Sequence, residues 1–228
     1  FEVVFAAILG TGVGAGIAVH GRVASGPNRL AGEWGHNPLP WLAHDEPRPA
    51  CWCGQRGCVE TLVSGAGLAR DHAAASGERL AGEEIARRAA AGDAACAATL
   101  ERHAERLARA LAAVVNLLDP DVIVLGGGLS RLTHLYEQVP ARWARWVFGA
   151  SAHEPVRTRL ALGEARVLVT GASLYRRKVA GIRDALPRLA HVLLYDDGEA
   201  PGDSAGTCDL ARLMTDAADE FETVATAP

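Results

Sequence analysis

The sequence predicts an α/β fold that carries a zinc-bound loop and ends in a βαβ tail. Three observations predict it. Apolar, partly β-branched runs at residues 3–9 and 122–125 each stop at glycines, as buried strands do when they run into a tight turn. Between them, residues 93–118 repeat apolar side chains at three- and four-residue spacing, the period of a helix that lays one face on a core. Residues 32–60 gather three of the five cysteines, two histidines (His36 and His44), and a carboxylate near each end.

The 228 residues are 49% hydrophobic with a formal charge of −4. That length supports one domain with a real core and somewhat more. The charge balance gives no electrostatic case for nucleic acid or a membrane surface. No apolar run approaches the roughly 18 residues that span a bilayer, and no basic-then-apolar leader opens the chain. The expected location is cytoplasmic. The only methionine is Met214 and the chain opens inside a strand, so it reads as a fragment lacking an N-terminal part. Residues 196–228 hold nine acidic residues against Arg212, which marks a boundary or a foreign tail.

In order along the chain, Val3–Leu9 is the first strand. Gly10–Gly16 (GTGVGAG) follows as a glycine-rich turn, then short strands at Ile17–Val19 and Arg22–Ala24 around a His20-Gly21 turn. Gly10 to Ala15 matches the dinucleotide pattern G-x-G-x-x-A, and Glu33 lies near the spacing of a ribose-binding acid. That pattern must open a helix. Here a β-branched strand follows, so the dinucleotide reading is rejected. A strand–turn–strand loop whose bare amides and Thr11 hydroxyl face phosphate oxygens is the functional alternative to a hairpin without ligand.

Cys51, Cys53 and Cys58 stand in a C-x-C-x4-C cluster, with His36 upstream across a proline-containing loop. Gly54 and Gly57 allow the backbone to fold tightly around an ion. Three thiolates and an imidazole form a closed four-ligand set suited to structural zinc, with no open position for a catalytic water. Disulfides are disfavoured, because C-x-C is too short to bridge comfortably and nothing points to secretion. Cys96 and Cys208 read as small filler residues.

After the loop, Ser64-Gly65 caps a helix over about 66–75, residues 83–91 form a second, and Asp93 caps the long one. His103 on that helix reads as a surface or satisfied residue. Asp119-Pro120-Asp121 stops the helix. Val122–Leu125 then leads through Gly126, Gly127 and Gly128 into a new helix near Ser130, an arrangement that brings backbone close to a nucleotide at a strand's C-terminal end. Trp143, Trp146, Val147 and Phe148 form an aromatic patch on that helix, read as core or subunit contact.

Taken together, FAAILGTGVGAGIAVHGRV, AGEWGHNPLPW, CWCGQRGCVETLVSG and LDPDVIVLGGGLS make the chain resemble the ROK family of bacterial sugar kinases, fructokinases most closely, over residues 1–163. The resemblance implies a two-lobed actin-like, ribonuclease-H-like ATPase fold, of which residues 1–163 correspond to most of the C-terminal lobe. It implies ATP phosphates at Gly10, Thr11 and Gly12, and the nucleoside against Gly126, Gly127 and Gly128, with Mg²⁺ accompanying ATP. It implies Zn²⁺ at His36, Cys51, Cys53 and Cys58, and sugar hydroxyls facing Glu33, Glu60 and the edge of His36. A carboxylate accepts two vicinal hydroxyls at once, which selects stereochemistry. The expected reaction is ATP-dependent phosphorylation of a hexose, fructose favoured, by a protein that is a homodimer in its family.

The family's catalytic Asp lies in a segment expected upstream of Phe1, so the chain alone is expected to be inactive. A sugar-responsive repressor of the same family is the alternative; the intact GTGVGAG favours the kinase. From about Gly163 the text departs from the family's closing segment. Residues 164–199 resemble a piece of an AMP-forming acyl-CoA synthetase and read as a foreign βαβ unit, with strands at 166–170 and 192–195 and a helix at 173–186. Residues 200–228 read as an acidic, poorly ordered tail.

Overall fold

The opening apolar run forms β1, Val3–Leu9, with Phe5, Ala7 and Leu9 buried on one face. The run was read as buried throughout, yet Ile8, which points the other way, is 53% exposed. In the computed structural model of the chain, which describes residues 1–151, 154–163, 167–172, 176, 180, 191–196, 198 and 207–209, the glycine turn is shorter than expected. It comprises only Gly10–Gly12, and β2, Val13–Val19, has already begun at Val13. Gly14 and Gly16 pair with Ile8 and Ala6 in the antiparallel ladder. Their missing side chains leave open space and no break in pairing. His20 and Gly21, both at positive φ, turn the chain into β3, Arg22–Val23.

β4, Val122–Gly126, lies parallel to β1, and β5, Arg159–Leu162, lies parallel to β4. The sheet order is β3-β2-β1-β4-β5. β5 had no counterpart in the sequence reading.

Helix α1 spans Val59–Val63 and α2 Gly65–Ser76, where the Ser64 hydroxyl accepts from the Gly67 amide. α3 spans Gly82–Ala90. α4 spans Ala94–Leu118; Asp93 accepts from the amides of Ala95 and Cys96 at its start, and Asp119 ends it in a left-handed conformation. Its inner face, Ala104, Leu107, Ala108, Leu111 and Ala112, shares one core with Phe5, Ala7, Leu9, Ile123 and Leu125. Alanines at this face let the helix approach the sheet closely. His103 is part of that face and is 1% exposed, with Nε2 donating to the Val63 carbonyl at 2.9 Å.

The glycines after β4 lead first into a 3₁₀ turn, Gly128–Arg131, and only then into α5, Leu135–Trp143. Of the aromatic patch, Trp143 alone belongs to α5 and is buried. Trp146 stacks on Trp41 with centroids 5.1 Å apart, while Phe148 is 95% exposed.

Residues Phe1–Gly163 make one compact unit and Glu164–Pro228 another. In the second, β6 (Val167–Gly171), β7 (His191–Tyr195) and β8 (Thr207–Asp209) form a parallel sheet in that order. Apart from residues 176 and 180, the helix expected at 173–186 lies outside the described residues. Thr207–Asp209 pairs with β7, where the acidic stretch was expected to carry little order; most of that stretch lies outside the described residues. No helix among the described residues is long and apolar enough to cross a membrane.

Candidate functional site

The parallel register Ile8↔Gly126 sets the two glycine turns side by side at the C-terminal ends of β1 and β4. Gly10 N–H donates to Gly12 O, and Gly65 N–H, at the start of α2, donates to Gly10 O at 2.8 Å. Thr11 is exposed at the tip. Gly127, at φ 85°, lies so close to β1 that an added Cβ would stand 2.5 Å from the Leu9 carbonyl oxygen. Gly126 is the last residue of β4, and Gly128 opens the 3₁₀ turn. Two bare turns at the carboxyl edge of a sheet form the kind of crevice in which α/β folds bind ligands.

Glu33 and His36 bound a 3₁₀ turn, Glu33–His36, that sits hard on β2. A Cβ on Gly32 would lie 2.0 Å from the Ala15 oxygen, and one on Gly35 2.2 Å from the Val13 oxygen. Between them Trp34 is buried, packs edge-on to Phe5 at 5.4 Å, and donates from Nε1 to Gly14 O. The two outward side chains are thus fixed on a rigid base. His36 Nε2 lies 4.0 Å from the exposed Glu33 carboxylate, and Nδ1 faces Cys51 Sγ at 3.5 Å.

The cysteine loop is a small knuckle. Leu39 and Val59 amides donate to Gly57 O and Asn37 O, and Cys51 N–H donates to Gln55 O. Gly54 and Gly57 both take positive φ. The donor atoms of His36, Cys51, Cys53 and Cys58 lie within 4.8 Å of one another. Tetrahedral zinc, with sulfur at about 2.3 Å and nitrogen at about 2.0 Å, sets sulfur–sulfur edges near 3.8 Å and sulfur–nitrogen edges near 3.5 Å. Cys53 and Cys58 sulfurs are 3.7 Å apart, too far for a disulfide, and the Cys51–His36 pair is at 3.5 Å. Burial, then the adjoining Cys53 and Cys51 sulfurs, push the Cys58 thiol up to about 12. A hydrogen bond from the Gln55 backbone holds Cys53 below its ordinary value. Three such sulfurs cannot all be thiolates without a cation among them, so the donor set fits Zn²⁺, which would supply that charge. Cys96, apart from this group, is buried in α4 near His72.

Glu60, near the start of α1, joins the two halves of the site. One carboxylate oxygen accepts from the Val13 amide at 2.9 Å, just past the first glycine turn. The other accepts from the indole N–H of Trp52 at 3.0 Å, within the cysteine loop. Its Oε2 occupies the place where a Cβ on Gly12 would fall, 2.6 Å away. Each oxygen keeps a further lone pair. Sequence reasoning missed Trp52, whose ring packs edge-on to His36 at 4.8 Å and is 82% exposed. Its place between two ligands in C-x-C was the available signal.

Beneath the loop, Glu46 accepts both terminal nitrogens of Arg109, at 2.6 and 2.7 Å. This partner, chiefly through the hydrogen-bonded fork, holds the Glu46 carboxyl down at about 2.

The family model of the ROK family matches residues 1–178, a span that runs past Gly163. The chain is 38% identical over 147 residues to an N-acetyl-D-glucosamine kinase of Yersinia enterocolitica, covering 62% of this chain and 48% of that protein. The chain therefore spans about half the length of the curated relatives it matches. Among solved structures, a ROK hexokinase from Thermus thermophilus superimposes with TM-score 0.60 at 31% identity, covering 71% of this chain and 51% of its own. A ROK glucokinase from Streptomyces griseus, in complex with glucose and AMPPNP, gives 0.59 at 26%, covering 70% and 55%. The sheet and helices are those of the actin-like ATPase fold. With more than half of its length matched by the family model, the chain belongs to the ROK family.

Proposed function

We propose that the chain forms the zinc-pinned lobe of an ATP-dependent sugar kinase. The observation that carries this reading is Glu60, whose carboxylate ties the cysteine loop to the glycine turn through Trp52 and Val13. A site for a hydroxylated acceptor and a site for a phosphate donor thereby adjoin. In this reading Zn²⁺ is structural, held by His36, Cys51, Cys53 and Cys58, and His36 and Glu60 are fixed by the same loop. Glu33, exposed and next to His36 Nε2, accepts sugar hydroxyls. Gly10, Thr11 and Gly12 receive the triphosphate with its Mg²⁺, and Gly126–Gly128 lie along the nucleoside. Phosphoryl transfer rests mainly on positioning and charge, and a metal-fixed loop between two rigid turns supplies positioning.

The acceptor is a hexose. N-acetylglucosamine and glucose, named for relatives of the chain, join fructose as acceptors to compare. The test is calorimetric titration of the zinc-loaded chain with each sugar and with an ATP analogue. We expect one sugar to bind at one per chain, and Glu33→Gln to weaken it at least about tenfold, the scale of a lost charged hydrogen bond. A chain that binds none of these sugars, or whose affinity is indifferent to Glu33→Gln, overturns the acceptor assignment.

A further inference from the structure

Residues 42–49 form neither helix nor strand, yet they carry the chain into Cys51. What holds them comes from α4. Arg109, 5% exposed, donates to both oxygens of Glu46 and to the Trp41 carbonyl at 2.9 Å. Arg106, 4% exposed, stands 3.5 Å from the same carboxylate and is itself held by Asp71 of α2 at 2.7 Å. Glu46 passes the constraint on by accepting from the Ala43 amide. The Arg48 guanidinium then gathers the carbonyls of Leu42, Ala43, His44 and Glu46. Arg48 and Leu42 rest on Gly57: an added Cβ there would meet Arg48 Cγ and Leu42 Cδ2 at 3.4 Å. Gly57 donates to Pro49 O and precedes Cys58. An unbroken run of contacts thus leads from two buried arginines to both ends of the cysteine cluster.

We infer that the Glu46–Arg109 fork is a positioning pair for the metal centre, so that zinc affinity, and not stability alone, depends on it. This rests on the zinc reading above. The physical ground is preorganisation. A loop without a core of its own samples many conformations, and each lowers the fraction ready to present four donors together. A bidentate guanidinium–carboxylate pair fixes direction as well as distance, and α4, packed along the sheet, supplies a rigid base.

The test uses the full chain, with zinc affinity read by competition against a chromophoric chelator and stability read separately by melting of the zinc-free protein. Glu46→Gln and Arg109→Met should each weaken zinc about 10–100-fold, the range seen when supporting contacts of metal ligands are removed. The double variant should be no weaker than the poorer single, because both remove one interaction. Arg102→Met, which breaks a pair with Asp71 in the same network without touching the loop, should leave zinc affinity unchanged. Should Arg109→Met fail to fold, Glu46→Gln, a neutral isostere on a partly exposed side chain, carries the test. Unchanged zinc affinity in Glu46→Gln overturns the proposal, as does an equal loss in Arg102→Met. A wild-type chain that takes up no zinc removes both the metal reading and this inference before any variant is compared.

Discussion

A single methyl group separates the glycines that the site requires from those it tolerates. Gly32 combines φ 96° with an added Cβ 2.0 Å from the Ala15 oxygen, whereas Gly14 would place its Cβ in open space. Gly32→Ala should therefore cost more than about 3 kcal/mol, the range of strain at a forbidden conformation plus a backbone clash. Gly14→Ala should stay within about 1 kcal/mol; urea denaturation of both variants checks the contrast. At Gly12 the obstacle is the end of the Glu60 side chain, which can move. Gly12→Ala should spare stability and release the Val13 amide, seen as an altered Val13 amide resonance by NMR. At this scale the clustering of His36, Cys51, Cys53 and Cys58 was readable, because few side-chain types ligate metals and the cysteine spacing is short. The partners of Glu60 were not: one is a backbone amide 47 positions earlier. Nor was Arg109, 63 positions from Glu46.

Between elements, charge and burial give the chain two distinct acid responses. His103 of α4 is fully buried against α1, and burial lowers it from 6.5 to about 4. Its folded form is neutral while the unfolded chain takes a proton below its higher value, so stability falls as pH drops from about 6.5 to 4. Glu46 is lowered from 4.5 to about 2 by Arg109. The stability it contributes is present above its unfolded value and is lost as pH falls from about 4.5 to 2. Melting temperature against pH should show both declines; His103→Gln should flatten the upper one and Glu46→Gln the lower. The elements themselves were unevenly legible. α4 was foreseen nearly residue for residue, because Asp93 and Asp119-Pro120 state its ends chemically. β2 was read short, since glycines in a strand look like a loop until a partner strand is known to pair with them. β5 is four residues with a charge at its start, too brief to declare a period. His103 was read as surface or satisfied, because helical spacing alone does not reveal how much of its circumference α4 buries.

For the molecule as a whole, the proposed zinc is the component whose removal should act locally first. Chelation should lower the melting temperature, by about 4 kcal/mol of lost stabilisation if zinc had stood at a thousand times its dissociation constant. Hydrogen exchange should quicken at residues 37–60 before it does in β1 or α4, whose protection comes from the sheet and its packed helix. Simultaneous loss of protection everywhere would show that the loop is not a separate unit of stability. The fold class was legible at this scale because apolar runs, glycine stops and one long amphipathic period all agree. The layout of the sheet was not, since pairing order is written in no local pattern. The carboxylate shared between loop and turn bears on how the protein can be altered. Anyone breeding new acceptor preference into this scaffold should hold positions 12, 32, 35 and 60 constant, because each is wedged against backbone or against another of the four. Diversity belongs at Glu33 and Asn37, which stand in solvent on a base that does not move with them.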